Sequence, residues 1–245
     1  MSKCVIQATW DDAPHLSQSA REELLQSIPP YQRDARTKGI PQLGSGAIYP
    51  VPESDILVPD MEIPAHYPRA YGMDVGWNRT AVVWGALNRD TSTIYLYSEH
   101  YRGQAEPAVH AHSIRSRGEW IPGVIDPAAR GRSQRDGLQL LQDYKDLGLD
   151  IEPAQNAVEA GIYECWQLLS SGHLKVFKSL VNWLMEFRIY QRDTDGKVVK
   201  QNDNLMDAMR YLVLSGRDRM KCKPAPPKVV VEYRYPGQEQ QNWMR

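Results

Sequence analysis

The chain has 245 residues, a formal net charge of −1 and 42% hydrophobic residues, with thirteen Tyr and seven Trp. This composition excludes wholesale disorder and a purely basic nucleic-acid coat, and no stretch reaches the roughly 20 apolar residues of a membrane span. Three widely spaced cysteines, Cys4, Cys165 and Cys222, argue against a disulfide framework or a structural zinc site, and a reducing compartment is expected.

Residues 5–10 read as a strand broken by Asp11-Asp12-Ala13-Pro14. Residues 17–28 read as a helix, with Ser17 or Ser19 as its cap and Pro29-Pro30 beyond its end. One strand and one helix cannot bury two faces alone, so 1–45 reads as the remnant of another domain. Residues 46–68 read as an extended linker, with five prolines between 49 and 68.

From residue 69 the pattern changes. Strand 70–74 ends in a turn at Gly76-Trp77-Asn78, and strands 81–87 and 93–97 follow. Short turns between them predict an antiparallel meander. A helix opens at Pro107, with His110 and His112 read on its solvated face. A short buried strand, 123–125, stops at Asp126-Pro127. A helix over 138–147, a strand at 149–151 and a helix over 158–169 come next. In that region Tyr163, Trp166 and Trp183 read as core, and Glu186 as structural. Asp195-Gly196 within 187–200 predicts a hairpin, and 205–214 reads as a last amphipathic helix. The order predicts an α/β fold over 69–216. Its mixed sheet has three antiparallel strands, then parallel strands, with helices on both faces. Residues 217–245 carry seven Lys/Arg against three Asp/Glu and read as a flexible basic tail.

Three aspartates stand out by position. Asp74 and Asp126 end strands, and Asp207 lies between the apolar Met206 and Ala208 of the last helix. Each alone also fits a bland role, since aspartate is a common turn former. Carboxylates that converge, however, need cations between them, and hard divalent ions with oxygen ligands, Mg²⁺ or Mn²⁺, suit them.

These positions also carry a family resemblance. Met73-Asp74-Val75-Gly76-Trp77-Asn78-Arg79-Thr80-Ala81 resembles the first nuclease motif of tailed-phage large terminase subunits, and Val124-Ile125-Asp126-Pro127 resembles the second. Asn202-Asp203-Asn204-Leu205-Met206-Asp207-Ala208-Met209-Arg210-Tyr211 is similar to the third, usually D-H-x-x-D-A-x-R-Y. Residues 8–16 resemble the end of the terminase ATPase domain, so the resemblance spans about 5–215. It implies an RNase H-like endonuclease that cuts concatemeric double-stranded viral DNA during genome packaging. It places Asp74, Asp126 and Asp207 as ligands of two Mg²⁺ or Mn²⁺ ions. Asp203, Asn204 and Thr80 become supporting residues, with an N-cap as the other reading of Asp203. Asn204 departs from the family's histidine, which puts a fourth ligand in doubt. Implied partners are duplex DNA, a portal protein and a small terminase subunit, in the host cytoplasm and away from membranes.

Phosphate contacts are expected from Arg130, Arg132 and Arg135 after Asp126, and from Arg188, Arg192, Lys197 and Lys200 around the hairpin; solvation of edges and turns is the other reading. No G-x-x-x-x-G-K-[ST] occurs, so ATP hydrolysis by this chain is not expected. Three other functions compete. The phosphate hairpin of actin-like sugar kinases would need a second copy, which the sequence lacks. A transposase or junction resolvase would share the three carboxylates. A non-enzymatic packaging adaptor would use the basic tail and hairpin alone.

Overall fold

A computed structural model describes residues 9–28, 33–38, 46–127, 136–193 and 195–225. A 3₁₀ turn, Trp10–Asp12, leads to helices α1 (Gln18–Ser27), α2 (Arg33–Lys38) and α3 (Glu53–Ile56). The remaining elements are β1 (Leu57–Val58), β2 (Arg69–Asp74), β3 (Thr80–Asn88), β4 (Thr93–Arg102), α4 (Pro107–Arg115), β5 (Gly123–Ile125), α5 (Asp136–Asp146), β6 (Ile151–Pro153), α6 (Val158–Ser170), β7 (Leu174–Phe177), α7 (Val181–Ile189) and α8 (Asn204–Tyr211). A π-helical turn, Leu212–Gly216, prolongs α8.

The seven strands form one sheet in the order β1-β7-β4-β3-β2-β5-β6. Strands β2, β3 and β4 pair antiparallel, while β5, β6, β7 and β1 join on either side in parallel. This is the predicted mixed sheet, with helices on both faces. Side chains alternate between faces along a strand. Ala70, Ala81 and Val83 pack on the α6–α8 side, with Cys165, Trp183 and Met206. Tyr71, Met73, Val82 and Trp84 pack on the α4–α5 side, with Ile114 and Tyr144. Asp74 shares the parity of Ala70 and Gly72, so it belongs to the face covered by α8.

Gly72 fixes how closely α8 lies on the sheet. A Cβ at that position would stand 2.0 Å from the Ala208 carbonyl oxygen and 2.8 Å from the Leu212 nitrogen. Only glycine permits this backbone-to-backbone approach.

Several expectations are corrected here. Trp10 lies in a 3₁₀ turn and not in a strand, because the Thr9 hydroxyl accepts from the Asp11 amide and the Asp12 carboxylate from the Thr9 amide; residues 5–8 fall outside the described residues. Helix α1 follows the reading, capped by Ser17. The stretch 46–68 is not a free linker. Tyr49, Val51, Ile56 and Ile63 are buried in the core, and β1 extends the sheet beside β7. A proline-rich chain is already extended, so adding an edge strand costs it little order. The hairpin is reduced to a single bridge, Arg192↔Val198, with Gly196 at φ +78°, because α7 already claims residues 187–189. At the C-terminal end, Lys221 bridges Arg69, and Arg219 and Lys221 pair with Asp150. Residues 226–245 of the expected tail lie outside the described residues.

Candidate active site

Parallel register aligns two strand ends. Met73 pairs with Ile125, and the Asp126 amide donates to the Met73 carbonyl at 2.9 Å. Asp74 and Asp126 therefore leave the sheet side by side, at the C-terminal ends of adjacent parallel strands. Helix α8 crosses above them and brings Asp207 to the same place. These three, with Asp203, Asn204, Lys200, Arg210, Tyr211 and the loop 75–79, line one cavity of about 840 Å³.

The acids are unequally compensated. Burial first, then the neighbouring Asp207, Asp126 and Asp203, push the Asp74 carboxyl well above the usual carboxylate range. Burial and Asp207 also raise Asp203. Asp207 is 8% exposed and bound by cations on both oxygens. Arg210 donates to Oδ1 at 2.9 Å, and Lys200 to Oδ2 at 3.1 Å. Lys200 lies 3.2 Å from Asp203 as well, and these two carboxylates raise its pKa against the opposing effect of burial. Tyr211, one turn beyond Asp207, donates its hydroxyl to Asp126 at 3.1 Å. The helix thus orients one ligand candidate and supplies another.

Among the described residues, no three His, Cys, Asp or Glu side chains are already grouped to hold one metal ion. At Asp207, Lys200 and Arg210 take up the carboxylate oxygens. The donor set still fits a hard divalent cation: four aspartates face one cavity, and the buried Asp74 has no cation bonded to it among the described contacts. The Lys200 side chain is 59% exposed, so this cation sits at the solvent side of the cavity.

Two helices here lack a side-chain cap of their own, and remote glutamates supply one. Glu99 of β4 accepts from the Asn182 and Trp183 amides at the start of α7. Glu186 near the end of α7 accepts from the Leu205 amide at 2.5 Å, the Tyr101 hydroxyl at 2.7 Å and the Asn204 side chain at 3.2 Å. Glu186 is 1% exposed. Asp203 occupies the N-cap position but makes no cap bond, because its carboxylate turns to Lys200. A lone glutamate in an otherwise apolar helix was the only sequence signal for this arrangement.

The other expected residues divide. Thr80 bonds the Gly76 carbonyl at 3.2 Å and so steadies the loop rather than Asp74 itself. The Asn204 amide is turned to Glu186. Of the basic candidates, Arg188 is locked in a bidentate pair with Glu53 and Arg192 in one with Glu159. Lys197 is exposed, and Lys200 is the one that reaches the cavity. Arg130, Arg132 and Arg135 lie outside the described residues. His110, read as solvated, is 2% exposed and bonds His100 at 2.9 Å, because α4 turns that side onto β4. Tyr163, read as core, is 56% exposed.

Comparison with known proteins bears on the family and the fold. Residues 71–215 match the family described as the terminase RNaseH-like domain. The terminase large subunit of Salmonella phage P22 is 33% identical over 221 residues, 86% of this chain and 44% of that protein. The chain spans about half the length of the curated relatives it matches. The structure of the P22 large terminase nuclease domain superposes with a TM-score of 0.69 at 30% identity, covering 74% of this chain and 96% of that one. The nuclease domain of the bacteriophage SPP1 large terminase, with bound Mn, shares the fold at a TM-score of 0.52 and 19% identity, over 69% of this chain and 99% of that one.

Proposed function

The chain belongs to the terminase RNaseH-like domain family, and on that premise we propose that it is a divalent-metal-dependent endonuclease cutting concatemeric double-stranded viral DNA during genome packaging. The observation that carries this reading is the convergence of Asp74, Asp126 and Asp207 on one cavity at the C-terminal ends of β2 and β5. Asp74, Asp126 and Asp207 would hold two Mg²⁺ or Mn²⁺ ions. When bound, such ions supply Lewis-acid stabilisation of the charge that develops on phosphate oxygens.

The chain's own residues do the rest. Arg210 holds the Asp207 carboxylate in one orientation, and Tyr211 holds Asp126. Glu186 fixes the first turn of α8 and thereby the position of Asp207. Lys200 neutralises Asp207 and Asp203, and by moving outward it becomes a phosphate contact at the rim. Duplex DNA is the substrate in this reading. A portal protein and a small terminase subunit are its partners in the host cytoplasm. No helix among the described residues is long and apolar enough to cross a membrane.

Plasmid nicking in Mn²⁺ tests the assignment. The wild-type chain nicks supercoiled DNA, and Asp74→Asn, Asp126→Asn and Asp207→Asn each abolish it. Nicking that persists in all three variants removes these residues from the mechanism. DNA binding by a wild-type chain that never nicks would favour a packaging adaptor.

A further inference from the structure

Trp77 is 65% exposed, while the other described tryptophans are buried or half-buried. It lies in the β2–β3 loop, three residues after Asp74, and lines the same cavity as the three aspartates. Exposed indoles usually sit on loose segments, but this loop is pinned on every side. The Trp77 carbonyl accepts from the Gln104 amide at 2.8 Å. The Asn78 carbonyl oxygen sits where a Cβ of Gly103 would be, 2.0 Å away. Thr80 holds Gly76, and the Arg79 guanidinium stacks 4.3 Å from the centroid of the Tyr101 ring. Tyr101 in turn bonds Glu186, the residue that caps α8. One chain of contacts therefore links the backbone that carries Trp77 to the helix that carries Asp207.

A solvent-facing indole on a braced backbone at the lip of an acidic cavity offers a flat, largely apolar and uncharged surface. Its ring face suits the deoxyribose and exposed base edge of a nucleotide, and its Nε1–H is a single donor beside them. Lys200 on the rim supplies the cation that a polyanion needs to approach four carboxylates. We propose that Trp77 packs against the deoxyribose and exposed base edge of the nucleotide beside the scissile phosphate, and so positions the DNA strand over the aspartates. This rests on the nuclease reading above and adds a positioning residue to it.

The test uses the full chain with Trp77→Ala and Trp77→Phe. Binding of a short fluorescein-labelled duplex is followed by anisotropy with Ca²⁺ in place of Mn²⁺, and plasmid nicking is measured in parallel. Loss of this apolar contact corresponds to roughly 10- to 150-fold weaker binding in Trp77→Ala, with Trp77→Phe within about threefold of wild type. In nicking, Trp77→Ala raises KM more than it lowers kcat. Melting temperatures stay at the wild-type value because the side chain is exposed, which separates positioning from folding. If wild type and Trp77→Ala bind and nick alike, the Trp77 assignment is overturned while the nuclease reading stands; an indole that serves a protein partner gives this result. If the wild-type chain neither binds nor nicks DNA, both fall together.

Discussion

Replacing Glu186 with alanine removes the carboxylate that caps α8 from a distance. Three donors lose their acceptor. The Asn204 side chain is half-buried and can turn to water, so its loss costs little. Leu205 is fully buried, and its amide donates to Glu186 at 2.5 Å. An orphaned buried donor costs about 1–3 kcal/mol, and the Tyr101 hydroxyl adds about 1 kcal/mol because it is half-buried. The sum is about 2–4 kcal/mol, and at roughly 2–4 °C per kcal/mol for a chain of this size the melting temperature falls by about 4–16 °C. Glu186→Gln keeps one carbonyl acceptor and loses about half as much. Differential scanning calorimetry measures both, and amide exchange at 204–207 shows whether the damage is local. Nicking falls in step, because Asp207 sits on the released turn. A Glu186→Ala protein melting within about 2 °C of wild type would refute the remote cap, as would a Glu186→Gln protein less stable than Glu186→Ala.

Two further outcomes follow from packing and charge. Gly72→Ala drives a methyl into the backbone of α8, so it exceeds the ordinary range of single substitutions, above about 4 kcal/mol, and yields insoluble or non-cooperatively melting protein; a soluble variant with a normal melting curve would show that α8 does not sit this close to β2. The half-buried His100 and its buried partner His110 make the fold acid-sensitive. Burial, then His110 and Arg117, lower the His100 pKa to about 4, and burial lowers His110 too. Below the ordinary value of 6.5 the unfolded chain takes up protons that the folded chain refuses, so stability falls as pH drops from 6.5 to about 4. Melting temperature measured across this window shows the decline, and His100→Gln flattens it; an equal slope in both proteins would place the acid sensitivity elsewhere.

Much of the site was legible from residues close together in the chain. Asp74 and Asp126 are marked as strand ends by the apolar runs before them, and 123–125 forms the strand expected of it. Asp207 is marked by a polar residue interrupting a helical apolar stripe. The meander, the parallel additions and the helices on both faces follow from periodicity and turn residues, which are local properties. Glu186 was legible as a structural residue, but the amides that it and Glu99 cap lie 19 and 83 residues further on, and nothing local names those partners. The edge strand β1 escaped because two residues in a proline-rich run carry no period, and only the exposed edge of β7 makes them a strand. Arg188 and Arg192 looked available to a polyanion until folding placed Glu53 and Glu159 against them.

The order of elements and the identity of the three acids are thus written along the chain, where a repeat of two or 3.6 residues decides which side chains turn inward. How far apart the acids stand, which cations neutralise them and which distant carboxylate anchors α8 are decided only when strands and helices meet. Those contacts depend on where Gly72 lets two backbones touch and on the low dielectric between them, and neither is a property of any one segment.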